Sequence, residues 1–302
     1  MTDQSVTPVV LFAYARPTHL TSTLEALRQD GVPLIHAFSD GPRSPEMAPA
    51  VEEVRKILRA IDWCEVRIVE RETNLGLGLS IREGVGEILA RYGSAIVCED
   101  DLVCVKGTYA YLCAALARYK DDRRVMSVTG WTHPRVTPRG VKDNPYFDGR
   151  AECLMWGAWA RSWEGMDRDA LSLVADCRAR GIDPYRYGGD LLAMADEERK
   201  RNIWAVRFLY LHMVKGGLCL RPPHSLVEHI GFDAQATNSA NETRWLNPPL
   251  QPCPPIPTRW PEPRVHPACS RLWQNAQGGR PGIRSFVRRA LGKARRIIEG
   301  RP

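Results

Sequence analysis

Three consecutive carboxylates, Glu99-Asp100-Asp101, follow directly on the apolar run Ala95-Ile96-Val97-Cys98. Adjacent negative charges repel, and at the partly buried end of a strand an unneutralised triplet costs on the order of several kcal/mol. A cation therefore belongs beside it. Hard divalent ions such as Mg2+ and Mn2+ are held by one or two carboxylates together with substrate phosphates, and such an ion acts as a Lewis acid on a departing diphosphate. An acidic triplet is often only a solvated loop; its place directly after an apolar strand is what favours ligand chemistry. Further polar signals also stand just past apolar runs: Arg16 after Val9–Tyr14, Asp40 after Leu34–Phe38, and Asn74 in Asn74-Leu75-Gly76 after Cys64–Val69.

The elements that hold these residues show as periodicities. Val9–Tyr14 is continuously apolar and bounded by Arg16-Pro17, as expected of a strand buried on both faces. Leu20, Leu24 and Leu27 then recur at helical spacing. Leu34–Phe38 is a second strand, stopped at Gly41-Pro42, and Val51, Val54, Ile57, Leu58 and Ile61 form a second helical stripe. A third strand, Cys64–Val69, a helix carrying Ile81, Val85, Ile88 and Leu89, and a fourth strand, Ala95–Cys98, complete the alternation. A helix through Tyr109, Leu112, Leu116 and Tyr119 and a strand over Val125–Val128 follow. This order predicts an α/β fold with a parallel, doubly wound sheet, whose ligands bind outside the carboxyl ends of the strands. Arg16, Asp40, Asn74 and the acidic triplet then share one rim. The later half, rich in tryptophan (Trp131, Trp156, Trp159, Trp163, Trp204), is expected to complete the sheet and shape a second cleft. Its tryptophans suit either a sugar face or core packing.

With 302 residues, 44% hydrophobic and 25% charged, the chain is neither disordered nor a small disulfide scaffold. No apolar run reaches the roughly 18 to 20 residues that cross a bilayer, and the start MTDQSVTPVV does not read as a signal peptide. The nine cysteines include no Cys-x-x-Cys pair, which suits free thiols in a reducing cytoplasm. Residues 280–302 hold eight Lys or Arg against Glu299 alone, a balance of 8 − 1 = +7 that equals the whole chain's net charge. A neutral body with a basic tail points to tethering rather than to specific nucleic-acid binding. Ile283, Phe286, Leu291 and Ile298 among those arginines read as an amphipathic helix for an anionic membrane surface, with a packed terminal helix as the other reading. Between them and the body, nine of the twenty residues from Pro248 to Pro267 are proline, which predicts an extended linker or strap.

In order along residues 7 to 240, several motifs resemble the nucleotide-sugar glycosyltransferases of the GT-A fold, specifically bacterial enzymes similar to the N-acetylglucosaminyltransferase I family. They are Val9–Pro17, Ser39-Asp40-Gly41, Asn74-Leu75-Gly76, Glu99-Asp100-Asp101-Leu102, Val125–Trp131, Met155–Trp159, Ser225–Gly231 and Ala236-Thr237-Asn238. The resemblance implies a GT-A domain over 1–245, with a nucleotide-sugar half (7–130) and an acceptor half (131–245), then the strap (246–279) and the tail (280–302). It implies Asp101 as direct ligand of Mn2+ or Mg2+, with His229 as a late metal-binding histidine. It places Glu99 and Asp100 at the donor's sugar and ribose or at the metal's waters, Asp40 at the base or ribose, Arg16 near the nucleotide and Asn74 in the adjoining loop; Arg16 alone reads also as a surface ion pair. Asn74 alone reads equally well as a turn residue. A UDP-sugar is the expected donor, an envelope glycan or lipid-linked glycan the expected acceptor, and the inner face of the cell membrane the expected place.

Glycosyl transfer also needs a base for the acceptor hydroxyl. Aligned on Gly216–Pro222, the family's acidic position follows Trp204, where this sequence has Ala205-Val206-Arg207. Asp190, preceded by two glycines that admit a close backbone approach, is the first substitute, and Glu152, Asp148, Glu197 and Glu198 follow. Arg207 either holds the diphosphate or pairs with a neighbour. The missing acid leaves a second reading open, a catalytically inactive sugar- or nucleotide-binding protein tethered by its tail. A sugar nucleotidyltransferase is disfavoured, because Ala13-Tyr14-Ala15-Arg16-Pro17 lacks the glycines its phosphate loop requires.

Overall fold

The computed structural model describes residues 6–201, 203–231, 245 and 249–279. The basic segment 280–302 and Ala236-Thr237-Asn238 lie outside the described residues. The chain begins by alternating β1 (Val9–Ala13), α1 (Pro17–Gln29), β2 (Leu34–Ser39), α2 (Ala48–Arg59), β3 (Glu65–Glu70), α3 (Leu77–Tyr92) and β4 (Ser94–Glu99). All of β1 and β2 is buried, and apart from His36 and Ser39 of β2 their side chains are apolar on both faces. Val10 and Phe12 pack with Ile81, Val85 and Ile88 of α3, while Val9 and Leu11 pack with Leu20, Leu24 and Leu27 of α1. The two-residue alternation thus divides one strand between two cores. Helix α1 opens at Pro17, whose missing N–H costs nothing in a first turn.

Beyond β4 come β5 (Leu102–Cys104), α4 (Thr108–Tyr119), β6 (Val125–Thr129), β7 (Tyr146–Asp148), β8 (Trp156–Trp159), α5 (Ala160–Trp163), α6 (Ala170–Ala179), α7 (Leu191–Arg201), α8 (Ala205–Lys215), β9 (Leu218–Arg221), β10 (Val227–His229) and α9 (Cys269–Gln277). The main sheet has the order β3-β2-β1-β4-β8-β6-β9-β7. Its first four strands are parallel as expected, but β8 runs antiparallel to both β4 and β6, and β7 antiparallel to β9. The sheet is therefore mostly parallel with a mixed second half. Separately, β5 and β10 form a two-stranded ribbon in which Leu102 pairs with His229.

The tryptophans of the second half belong to the core rather than to a sugar-binding face. Trp156 is 1% exposed and stacks on Trp163 at 5.5 Å and on Trp204 at 5.6 Å, over Phe208. Residues 249–267 carry no helix or named strand and run along α4, where Tyr119 donates to the Pro261 carbonyl at 2.7 Å and Trp260 packs on Tyr111 and Tyr119. The strap then bridges to Phe147 at Val265 and ends in α9, a helix the sequence did not announce. Trp273 of α9 is buried, with the guanidinium groups of Arg150 and Arg221 over its ring at 4.2 and 5.3 Å, and donates its indole N–H to Asp148 at 2.7 Å. Among the described residues no helix is long and apolar enough to cross a membrane.

Candidate active site

A cleft of about 240 Å³ opens past the carboxyl ends of β1, β2 and β4. Arg16, Asp40, Asn74, Glu99, Asp100, Asp101 and His229 all line it, so every binding and metal residue expected from sequence meets at one place. The parallel pairing of β1 with β2 and β4 brings three strand ends level, and the ribbon delivers His229 beside Asp101 from 128 positions away.

Asp40 organises the loops. Its Oδ1 accepts the N–H of Leu75 at 3.0 Å and its Oδ2 that of Gly76 at 2.8 Å, while the Asn74 amide donates to the Gly41 carbonyl at 2.8 Å. Gly41 lets the two loops touch backbone to backbone, since a Cβ there would stand 2.6 Å from the Thr73 carbonyl carbon. Asp40 and Asn74 therefore fix the α3 entrance to the cleft, and Asp40 spends most of its acceptor capacity on the chain itself.

Asp100 accepts the Tyr14 N–H at 3.0 Å, and the Tyr14 hydroxyl in turn accepts the Arg43 N–H at 2.9 Å. Asp101 Oδ2 accepts Arg16 Nη1 at 2.6 Å and bonds His229 Nε2 at 3.0 Å. Burial, followed by repulsion from Asp101, pushes the Asp100 carboxyl up to about 7. Burial and the charges of Asp101 and Asp100 push Glu99 to about 8. Burial also opposes charge on Asp101, but His229 and Arg16 together hold it below the ordinary range. One carboxylate of the triplet is thus stabilised as an anion and two are short of positive charge.

That imbalance fits a hard divalent ion. Among the described residues no three His, Cys, Asp or Glu side chains converge as a ready-made cage. Mg2+ and Mn2+ do not need one, because they bind through one or two carboxylates and complete their shell with phosphate oxygens and water. Asp101 and His229, the two metal residues expected from sequence, both line the cleft beside the undercompensated Glu99 and Asp100. The stacked rings of Phe12 and Phe38, 5.4 Å apart and almost wholly buried, and the exposed Leu77 add apolar surface to the lining of the cleft. Tyr14, Arg43 and the two phenylalanines escaped the sequence reading; the one available signal was the position of Phe12 and Tyr14 at the end of a buried strand.

The candidate bases do not line the cleft. Asp190 is held by Arg150 through two bonds of 2.8 and 2.7 Å. The close approach its glycines allow is made by the chain itself: Gly189 donates to the Gly278 carbonyl at 2.7 Å. Asp148 is buried with Arg221 and Trp273, and Glu198 is buried with Arg207 at 2.5 Å. Arg207 thus pairs with a neighbour and bonds the Met166 and Asp167 carbonyls rather than serving the cleft. Glu197 is exposed on α7. Glu152 accepts the Cys153 N–H at 2.9 Å and stands 3.6 Å from Arg221, in the segment entering β8, whose register sets Trp156 opposite Val97.

No protein-family model and no curated protein matches the chain. Among solved structures it is similar to TarS of S. aureus (residues 1–349), at 13% identity and a TM-score of 0.37 over 54% of this chain and 49% of that one. It is also similar to the mannosyltransferase PcManGT from Pyrobaculum calidifontis in complex with GDP-Man and Mn2+, at 13% identity and a TM-score of 0.38 over 54% of this chain and 48% of that one. The chain spans about half the length of each of these structures.

Proposed function

We propose that the chain is a metal-dependent, inverting glycosyltransferase that moves a sugar from a nucleotide-sugar, with a UDP-sugar as donor, to a hydroxyl of a glycan or lipid-linked acceptor. The observation that carries this reading is the convergence of Arg16, Asp40, Asn74, the acidic triplet and His229 on one cleft at the carboxyl edge of parallel strands. The base would lie along the apolar part of the lining, and the diphosphate would lie toward Arg16. Asp101 and His229 would hold the metal. A divalent ion there offsets the charge that builds on the departing diphosphate.

For the base we favour Glu152 over Asp190. Asp190 is committed to Arg150 by two hydrogen bonds, whereas Glu152 faces Arg221 only at 3.6 Å and enters β8 from the edge that carries the cleft. Glu152→Gln is expected to lower kcat by about a hundredfold while nucleotide affinity stays unchanged. Asp190→Asn is expected to lower stability instead; equal kcat losses in both variants would exclude this assignment.

The class is tested by calorimetric titration of UDP, GDP and their sugars with and without Mn2+, followed by donor hydrolysis. Metal-dependent binding of one nucleotide and slow hydrolysis of its sugar are expected. No nucleotide binding under either condition would overturn the reading. Binding without turnover on any acceptor would favour the tethered, inactive binding protein.

A further inference from the structure

The Arg16–Asp101 ion pair occupies the atom on which metal binding depends. Asp101 Oδ2 receives Arg16 Nη1 at 2.6 Å and His229 Nε2 at 3.0 Å, which saturates the lone pairs of one carboxylate oxygen. Gly231 closes the arrangement from above: a Cβ at that position would run into Asp101 Oδ2 and stand 2.8 Å from Arg16 Nη1. Arg16 and Asp101 are both largely buried, with side chains 16% and 10% exposed, so their attraction is little screened by water. A divalent cation approaching Asp101 meets a guanidinium already seated there, and the two positive groups repel at close range in a low-dielectric cleft.

Building on the glycosyltransferase reading, we infer that Arg16 is an exchangeable counter-ion of Asp101: it keeps divalent metal out of the empty cleft and moves to the diphosphate when nucleotide and metal arrive together. The diphosphate supplies what the exchange requires. It gives Arg16 a new anionic partner, for which a guanidinium is well suited, and it neutralises the incoming metal. Metal and nucleotide then bind with positive coupling, and reciprocity requires each to tighten the other by the same factor. The coupling resides in one side chain whose charge opposes the first ligand and attracts the second.

The test is titration of Mn2+ alone, UDP alone, and each in the presence of the other, on the wild-type protein, Arg16→Gln and Arg16→Lys. Arg16→Gln removes the charge and is expected to tighten Mn2+ alone by about tenfold, to weaken UDP in the presence of Mn2+, and to shrink the coupling factor toward one. Arg16→Lys keeps the charge and is expected to leave Mn2+ alone as weak as in wild type, which separates the effect of charge from that of shape. Thermal unfolding of each variant confirms that the fold is intact. If wild type binds UDP with Mn2+ but Arg16→Gln binds Mn2+ alone no more tightly than wild type, the exchange is refuted and the glycosyltransferase reading stands. If wild type binds no nucleotide in any arm, both fall.

Discussion

Over about pH 6.5 to 8 the metal-free protein is expected to lose stability as the pH rises, and Mn2+ together with UDP is expected to return that stability, more strongly the higher the pH. The cause is the acidic triplet. Asp100 is buried beside the charge of Asp101, which raises its carboxyl to about 7 against the weaker pull of the Tyr14 N–H and Arg16. Glu99, half-open to the cleft, is raised to about 8 by burial, Asp101 and Asp100. Unfolded, both groups release their protons near about pH 4. Between that pH and 7 to 8 the native state holds the extra protons, so the triplet's contribution to ∂ΔG/∂pH is negative, the reverse of the usual effect of carboxylates. Below about pH 6.5 it is opposed by His36 and His212, which burial lowers to about 4, so the triplet decides the slope above that pH. Asp100 alone sets a ceiling of about 4 kcal/mol, and Glu99, better solvated, adds less. A divalent ion competes with these protons, so its apparent affinity should climb with pH and level off once Glu99 has ionised. Asp101→Ala removes the expected ligand and part of the repulsion together. It should abolish the Mn2+ effect on melting and flatten the pH slope. Thermal unfolding at a series of pH values, of the protein alone, with UDP, and with UDP and Mn2+, reads all of this. A melting temperature that rises between about pH 6.5 and 8 in the metal-free protein, or a Mn2+ shift that survives Asp101→Ala, would refute the assignment.

The cleft was legible in the sequence for a definite reason. Parallel strands covered on both faces read as unbroken apolar runs, and the first polar residue past each run lies at the ligand edge by construction. Arg16, Asp40, Asn74 and the triplet are all such residues, and their placement follows once β1, β2 and β4 pair in parallel. What pins them together is less visible. The β5–β10 ribbon is three residues deep, too short for a period to register, yet it alone brings His229 to Asp101. Helix α9 follows a proline-rich strap and buries only Cys269 and Trp273, so its apolar stripe is hard to distinguish from chance. Asp190 shows the opposite failure. Two glycines before an acid signal a close backbone approach, but sequence does not say whose backbone approaches, and here it is Gly278 of the same chain. The tryptophans carry the same ambiguity: an aromatic ring suits a sugar face and a core equally, and only neighbours such as Phe208 and Trp204 decide.

The second large effect is expected outside the cleft, at the buried charges that lock α9 onto the sheet. Arg221→Met should cost about 3–5 kcal/mol, because it strands Asp148 without its cation. Arg221 is 0% exposed and Asp148 1%, with Nε 3.2 Å from Oδ2. The pair is nevertheless poorly satisfied: among the described residues Nε and Nη1 of Arg221 have no hydrogen-bond partner, although Nη2 donates to the Arg150 carbonyl at 3.1 Å. A buried ion pair with incomplete hydrogen bonding repays little of its desolvation, so replacing both members with apolar groups should cost far less than removing either one. The double variant Arg221→Met with Asp148→Leu is therefore expected to recover most of the loss, apart from the indole N–H of Trp273 and the backbone N–H of Arg150, which give up their bonds of 2.7 and 3.0 Å to Asp148. Urea unfolding of the two single variants and the double variant gives the coupling directly, and additive losses would show that the pair does not act as a unit. None of these residues lines the cleft. Folded Arg221→Met should accordingly keep its Mn2+-dependent nucleotide affinity while any effect on turnover appears through Glu152, the other carboxylate facing Arg221, which ties the stability of this edge to the base proposed for the acceptor.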